Sequence, residues 1–139
     1  MSLLTTEIRD LIDAGHLAHL STIDPDGSPQ TSIVWVGLDG DEIVSGHLRL
    51  HRKLRNVRRD PRVVMSLESG HRNAMGMDEY LIVHGTARVI EGGAPELLQR
   101  LAEVYLGPGV TFPSMTDPPP GYVLRVTPTR IGGVGPWSS

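Results

Sequence analysis

Seven basic residues fall between His47 and Arg62: Arg49, Arg52, Lys53, Arg55, Arg58, Arg59 and Arg62, with Asp60 as the one acid among them. The rest of the chain holds six basic residues against fifteen acids, within a net charge of -3. A compact positive block on an otherwise acidic chain suits a small anionic ligand better than a long nucleic acid, which asks for an extended basic face and stacking aromatics. A phosphate is held by several N–H donors converging from a rigid element in a positive field. His51-Arg52-Lys53 opens a predicted helix directly after a strand, so its amides and side chains can converge on one phosphate. The competing reading of the same residues is a solvated arginine-rich face, and a remote one is a nucleic-acid-binding helix.

The other chemistry-bearing residues point less far. His47 and His51 stand four apart and His16 and His19 three apart, a spacing that can pair histidines on a metal. His47, however, ends a predicted strand, His16 and His19 straddle a helix-to-strand junction, and no carboxylate stands at a fitting distance. No metal site is expected. His51 reads as a supplement to the phosphate site, and the competing reading makes both His47 and His51 ordinary polar surface residues. Trp35 lies in an alternating strand and reads as core. There is no Ser/His/Asp order and no P-loop, and Gly132-Gly133-Val134-Gly135 lacks the following helix of a dinucleotide fingerprint. Asp78 and Glu79 are adjacent on a strand and face opposite ways. No obligatory acid–base residue is expected. The absence of cysteine excludes disulfides, thiolate catalysis and cysteine-ligated metals.

These residues need a scaffold, and 139 residues with 39% hydrophobic and 21% charged content fit one domain, 1–139. No apolar run has the length of a membrane span, and the first residues have no signal-peptide pattern, so a cytoplasmic protein is expected. Thr5 to Ala14 reads as a capped helix ended by Gly15. Leu17 to Ile23 and Pro29 to Leu38 read as strands around the turn Asp24-Pro25-Asp26-Gly27, and Asp39-Gly40 leads into a strand from Glu42 to His47. Leu50, Leu54 and Val57 recur at helical spacing up to Asp60-Pro61. Val63 to Leu67 is a strand, Ser69 to Asp78 a polar loop, and Tyr80 to Ile90 a long strand with a bulge expected at Gly85. Pro95 to Leu106 reads as a helix with Leu97, Leu98, Leu101 and Val104 facing inward. A Pro/Gly-rich loop, 107–121, precedes closing strands Tyr122 to Val126 and Thr129 to Val134. The fold class is mainly β (α+β): a six- to seven-stranded antiparallel barrel with short corner helices.

Three blocks in order carry a family resemblance: Asp26-Gly27-Ser28-Pro29-Gln30 with Ser32-Ile33-Val34-Trp35-Val36; the run from Arg52-Lys53-Leu54-Arg55-Asn56 through Asp60-Pro61-Arg62; and Thr127-Pro128-Thr129-Arg130-Ile131-Gly132-Gly133-Val134-Gly135-Pro136-Trp137. Together they resemble the pyridoxamine 5'-phosphate oxidase-like FMN-binding split barrels, and the last block is similar to the branch that uses coenzyme F420. The resemblance implies a homodimer with two cofactor sites at its interface. It implies that Arg52 and Lys53 contact the cofactor phosphate, that Ser32, Ile33 and Val34 run along the ring edge with backbone groups bonding it, and that Ser45, Gly46 and His47 flank the cofactor from the next strand. Asn56 is a further contact. Trp137, after Gly-Pro in a glycine-rich tail, is hard to bury in its own barrel and reads as a cap on the partner's site or ring face, or as packing across the dimer interface.

Two departures matter. True pyridoxamine phosphate oxidases carry an arginine, a phosphate ligand, where this chain has Ser32, and they end in an Arg/His-bearing substrate segment absent here. Both turn the expectation away from vitamin B6 oxidation, and the lost phosphate ligand together with the Val134-Gly135-Pro136-Trp137 ending turns it toward an F420-dependent oxidoreductase that passes a hydride between reduced deazaflavin and a small organic substrate. The alternatives are an FMN-dependent oxidoreductase and a non-enzymatic cofactor carrier. No nucleic-acid or membrane partner is expected.

Overall fold

The computed structural model describes residues 2–138; Met1 and Ser139, the ends of the expected domain, lie outside the described residues. Helix α1 (Thr6–Asp13) starts where the Thr5 hydroxyl accepts the Ile8 N–H, and it buries Ile8, Leu11 and Ile12 on one face. Seven strands follow: β1 (Ala18–Ile23), β2 (Pro29–Val34), β3 (Gly37–Asp39), β4 (Glu42–His47), β5 (Arg62–Arg72), β6 (Asp78–Glu91) and β7 (Tyr122–Val134). They form one antiparallel sheet in the order β2-β1-β5-β6-β7-β4-β3. Helix α2 (Arg52–Arg59) links β4 to β5, and α3 (Ala94–Tyr105) links β6 to the long loop before β7.

Chain connectivity closes this sheet. β2 and β3 are its two outer strands, yet Val34 and Gly37 are three residues apart, a span of at most about 11 Å. The sheet therefore curls until its edges meet, but β2 and β3 do not pair. The result is a split barrel with an open seam, filled inside by Leu20, Ile43, Met65, Leu67, Leu81, Val83 and Leu124, all fully buried.

The single strand expected over Pro29 to Leu38 is thus two, broken at Trp35-Val36, because the chain crosses the seam there. The polar loop expected at Ser69 to Asp78 is half strand: β5 runs to Arg72, β6 begins at Asp78, and only 73–77 turn, with Asn73 Oδ1 accepting the N–H groups of Met75 and Met77. The two closing strands are one, β7. The register slips opposite His84 and Gly85, so the bulge expected at Gly85 is present, with Thr129 of β7 as its extra residue between Pro128 and Arg130. A Cβ on Gly85 would stand 2.6 Å from the Thr127 carbonyl oxygen. In α3 the buried face is Ala94, Leu98, Leu101 and Ala102; Val104, expected inward, is 48% exposed, and Leu97 is half-buried. Among the described residues no helix is long and apolar enough to cross a membrane.

Candidate functional site

The seam gathers several of the expected residues into one groove of about 230 Å³. Ile33 and Val34 come from β2, and Gly46 and His47 from β4, on the other side of the split. Lys53 enters from the first turn of α2. Gly46 allows α3 to lie close: a Cβ there would meet Leu98 Cγ at 3.0 Å. Leu98 accordingly lines the groove beside Trp35 and Phe112.

The aromatic wall has its own support. Trp35 stacks on Tyr105 at 5.3 Å between centroids, and Phe112 tilts against Trp35 at 5.1 Å. The Tyr105 hydroxyl accepts the Val36 N–H at 3.0 Å and donates to the His16 carbonyl at 2.7 Å. Gln99 holds the loop that carries Phe112: its amide donates to the Val110 carbonyl (2.7 Å) and its oxygen accepts the Phe112 N–H (2.8 Å). Trp35 is therefore a half-buried wall residue rather than core. Leu98 and Gln99 were not expected at the site, and Phe112 was not singled out within its loop. The one available signal was Phe112 itself, the only phenylalanine of the chain, in an otherwise Pro/Gly-rich loop.

The polar end of the groove carries the Lys53 ammonium. His47 and Ser45 are buried, with His47 Nε2 2.8 Å from Ser45 Oγ. Burial, then the charges of Lys53 and His51, push the His47 pKa down to about 3, so its imidazole is neutral. Lys53 is held below the ordinary lysine value by desolvation. His51 stands edge-on to His47, 6.4 Å between centroids, and does not line the groove. Burial first, and then Lys53, Arg49 and Arg55, lower its pKa.

Arg52 and Asn56 lie elsewhere. Neighbouring residues on a helix point about 100° apart, and Arg52 faces a second groove with Asp24, Asp26, Arg55 and Arg59. Its Nη1 is 3.9 Å from Asp24 Oδ2. Asn56, one turn on, is buried there; its amide donates to Thr22 Oγ1 (3.0 Å) and Asp24 Oδ1 (2.9 Å), while the Arg59 guanidinium reaches the Ile23 carbonyl. The structure does not bring Arg52 and Lys53 together. Ser32 shares the inward face of β2 with Val34. Its hydroxyl is the one buried side-chain polar atom without a partner among the described residues. Trp137 does not line its own chain's groove. Against the expectation that it resists burial in its own barrel, it packs half-buried on the core and donates Nε1 to the Tyr80 carbonyl at 3.0 Å.

A larger hollow of about 670 Å³ beside α3 has guanidinium groups already engaged: Arg125 with Asp39 and Glu42, and Arg100 with the Leu38 carbonyl. The seam groove combines a cation with no acid partner among the described residues, a neutral imidazole and aromatic walls, which suits a flat heteroaromatic anion. Among the described residues no three His, Asp or Glu side chains cluster around a metal position.

The fold and the site together define a split barrel with a groove at its seam. The family model for pyridoxamine 5'-phosphate oxidase matches residues 4–135, and the chain belongs to that family. Its fold is similar to that of an F420 reductase, with 26% identity, coverage of 89% of this chain and 94% of that one, and a TM-score of 0.72. It is likewise similar to the Mycobacterium tuberculosis protein Rv2991, at 28% identity, 96% and 84% coverage, and a TM-score of 0.71. HupZ of Group A Streptococcus, 20% identical over 94% of this chain and 93% of its own, shares the fold with a TM-score of 0.64. No curated protein matches the chain.

Proposed function

We propose that this chain, as one domain over 1–139, is an F420-dependent oxidoreductase exchanging a hydride with a small organic substrate. The observation that carries this reading is the half-buried Lys53 ammonium beside the buried neutral His47 in an aromatic-walled groove at the barrel seam. The similarity to an F420 reductase supports the choice of cofactor. Ser32, in place of an arginine that would grip the FMN phosphate, weighs the same way.

The groove fits part of such a group. β2 is an outer strand, paired only with β1, so the backbone polar groups on its seam side are free to bond the polar edge of a ring. Lys53 supplies positive charge to an anionic moiety. The walls of Trp35, Leu98 and Phe112 exclude water from a ring face. When bound, the deazaflavin supplies the hydride chemistry, and the protein supplies position and field. The groove's 230 Å³ is below the roughly 300–1,000 Å³ of a full ligand pocket, and a second copy of the chain completes it in this reading. Arg52, on the far side of α2, serves the bound ligand only if its exposed side chain swings round.

Titration of the purified protein with F420 and with FMN, followed by ring fluorescence, tests the proposal. Tight F420 binding with weaker FMN binding is expected; the reverse order selects the FMN reading, and binding of neither overturns both. Turnover of F420 over a panel of electron-poor alkenes separates an enzyme from a carrier.

A further inference from the structure

We infer that Ser45 is a positioning residue that holds His47 as its Nδ1–H tautomer, so that the buried imidazole presents an N–H donor to the seam groove beside Lys53. The identity of the ligand that takes this donor rests on the proposed function; the tautomer itself rests on this chain alone.

Ser45 and His47 are two apart on β4 and share its inward face, 2% and 7% exposed. Their mutual contact, Oγ to Nε2 at 2.8 Å, is the one side-chain hydrogen bond of either residue among the described residues. A hydroxyl carries one proton and two lone pairs, and a neutral imidazole has one N–H and one bare nitrogen. If Nε2 were the donor, the Ser45 proton would be buried with no acceptor, which is the costly arrangement. With Ser45 donating to Nε2, the contact satisfies both groups, and the imidazole proton sits on Nδ1. That nitrogen is not sealed in the core, since Ser32 Oγ is the one buried side-chain polar atom lacking a partner among the described residues. His47 lines the seam groove, and that is where we place the Nδ1–H. The groove then offers an N–H and an ammonium and no carboxylate. It selects a ligand edge made of acceptors, such as the carbonyl oxygens and deprotonated ring nitrogen of an anionic heterocycle.

The test uses histidine-¹⁵N-labelled protein without added cofactor, read by long-range ¹H–¹⁵N correlation at neutral pH. His47 is expected to show a protonated Nδ1 and a bare Nε2, and Ser45→Ala is expected to shift it toward the Nε2–H form. An Nε2–H pattern in the unsubstituted protein overturns the assignment, as does an unchanged tautomer in Ser45→Ala. The unsubstituted spectrum decides the matter even where Ser45→Ala does not fold. In cofactor titration, His47→Asn, which keeps an amide N–H near the Nδ1 position, retains affinity within about threefold, while His47→Phe loses roughly tenfold, as for one lost hydrogen bond. Equal affinities of the two variants remove the donor role. Failure of the cofactor reading looks different: no variant binds F420 or FMN, while the tautomer pattern stands.

Discussion

Trp35 and Tyr105 stack with their ring planes 12° from parallel, and this contact joins the strand break at the seam to the last turn of α3. Trp35 sits where the chain crosses from β2 to β3, so the stack fixes a segment that no ladder holds. The Tyr105 hydroxyl adds bonds to the Val36 N–H and the His16 carbonyl. Burial raises the Tyr105 pKa, which keeps the hydroxyl a donor. Tyr105→Phe preserves the stack and removes these bonds, so a loss of about 1–3 kcal/mol is expected. Urea unfolding measures it; an unchanged midpoint would show that Val36 finds another partner.

Gln99 holds the 107–121 loop by one side chain making two bonds. Gln99→Leu keeps the bulk and loses both. Amide hydrogen exchange around Val110 and Phe112 is then expected to quicken by at least tenfold, with little change in the barrel strands. Cofactor affinity should fall with it, because Phe112 is a wall of the groove. Protection that persists at Phe112 would mean that its packing on Trp35 is enough.

The strands were legible in the sequence because alternation and turn residues mark them locally: Asp39-Gly40, Asp26-Gly27 and the bulge glycine Gly85 all stand where the reading put them. The seam was not, because the break at Trp35-Val36 has no proline or glycine and arises from the closure of the whole sheet. The same limit applies to the site. Lys53, His47, Ile33 and Val34 line one groove, a grouping that only the family resemblance implied and that no spacing in the sequence shows. That Arg52 turns away from Lys53 follows from helix geometry, once Leu54 and Val57 fix which face is buried. Phe112 reaches the groove from more than fifty residues beyond Lys53, held by a glutamine with no motif around it.

The divergence of Arg52 and Lys53 makes a quantitative prediction. Lys53→Ala is expected to weaken cofactor binding by at least tenfold, because the ammonium lies half-buried in the groove and is not replaced by water. Arg52→Ala, with a side chain 66% exposed and aimed at Asp24, should cost less than threefold. Fluorescence titration of the two variants checks this. Equal losses would show that α2 or the Arg52 side chain rearranges on binding.

Asn56 separates stability from binding. It is 2% exposed, and its amide ties α2 to Thr22 and Asp24. Asn56→Ala is expected to destabilise by about 2 kcal/mol, from lost hydrogen bonds and a small cavity. Affinity should be nearly unchanged, because Asn56 does not face the groove. Denaturant unfolding and titration on the same variant give both numbers; a binding loss matching that of Lys53→Ala would restore Asn56 as a ligand contact.

The neutral His47 also predicts how stability depends on pH. Its folded pKa of about 3 lies below the roughly 6.5 of an unfolded histidine. Between those values the unfolded chain binds a proton that the folded chain refuses, so stability is full above pH 6.5 and falls as the pH drops. The slope approaches about 1.4 kcal/mol per pH unit for one such group. His51, also lowered, acts in the same direction with less burial. Asp60, held at about 2 by Arg62, adds its own loss only once the pH falls below the ordinary carboxylate range. From pH 6.5 to 4.5 the slope therefore comes chiefly from His47, and His47→Phe should flatten it, as urea midpoints across that window would show. A slope that survives the substitution would place the responsible proton elsewhere. A flattened slope would establish that the imidazole facing Lys53 is uncharged at neutral pH, which leaves Lys53 as the only charge in the groove that an anionic ligand meets.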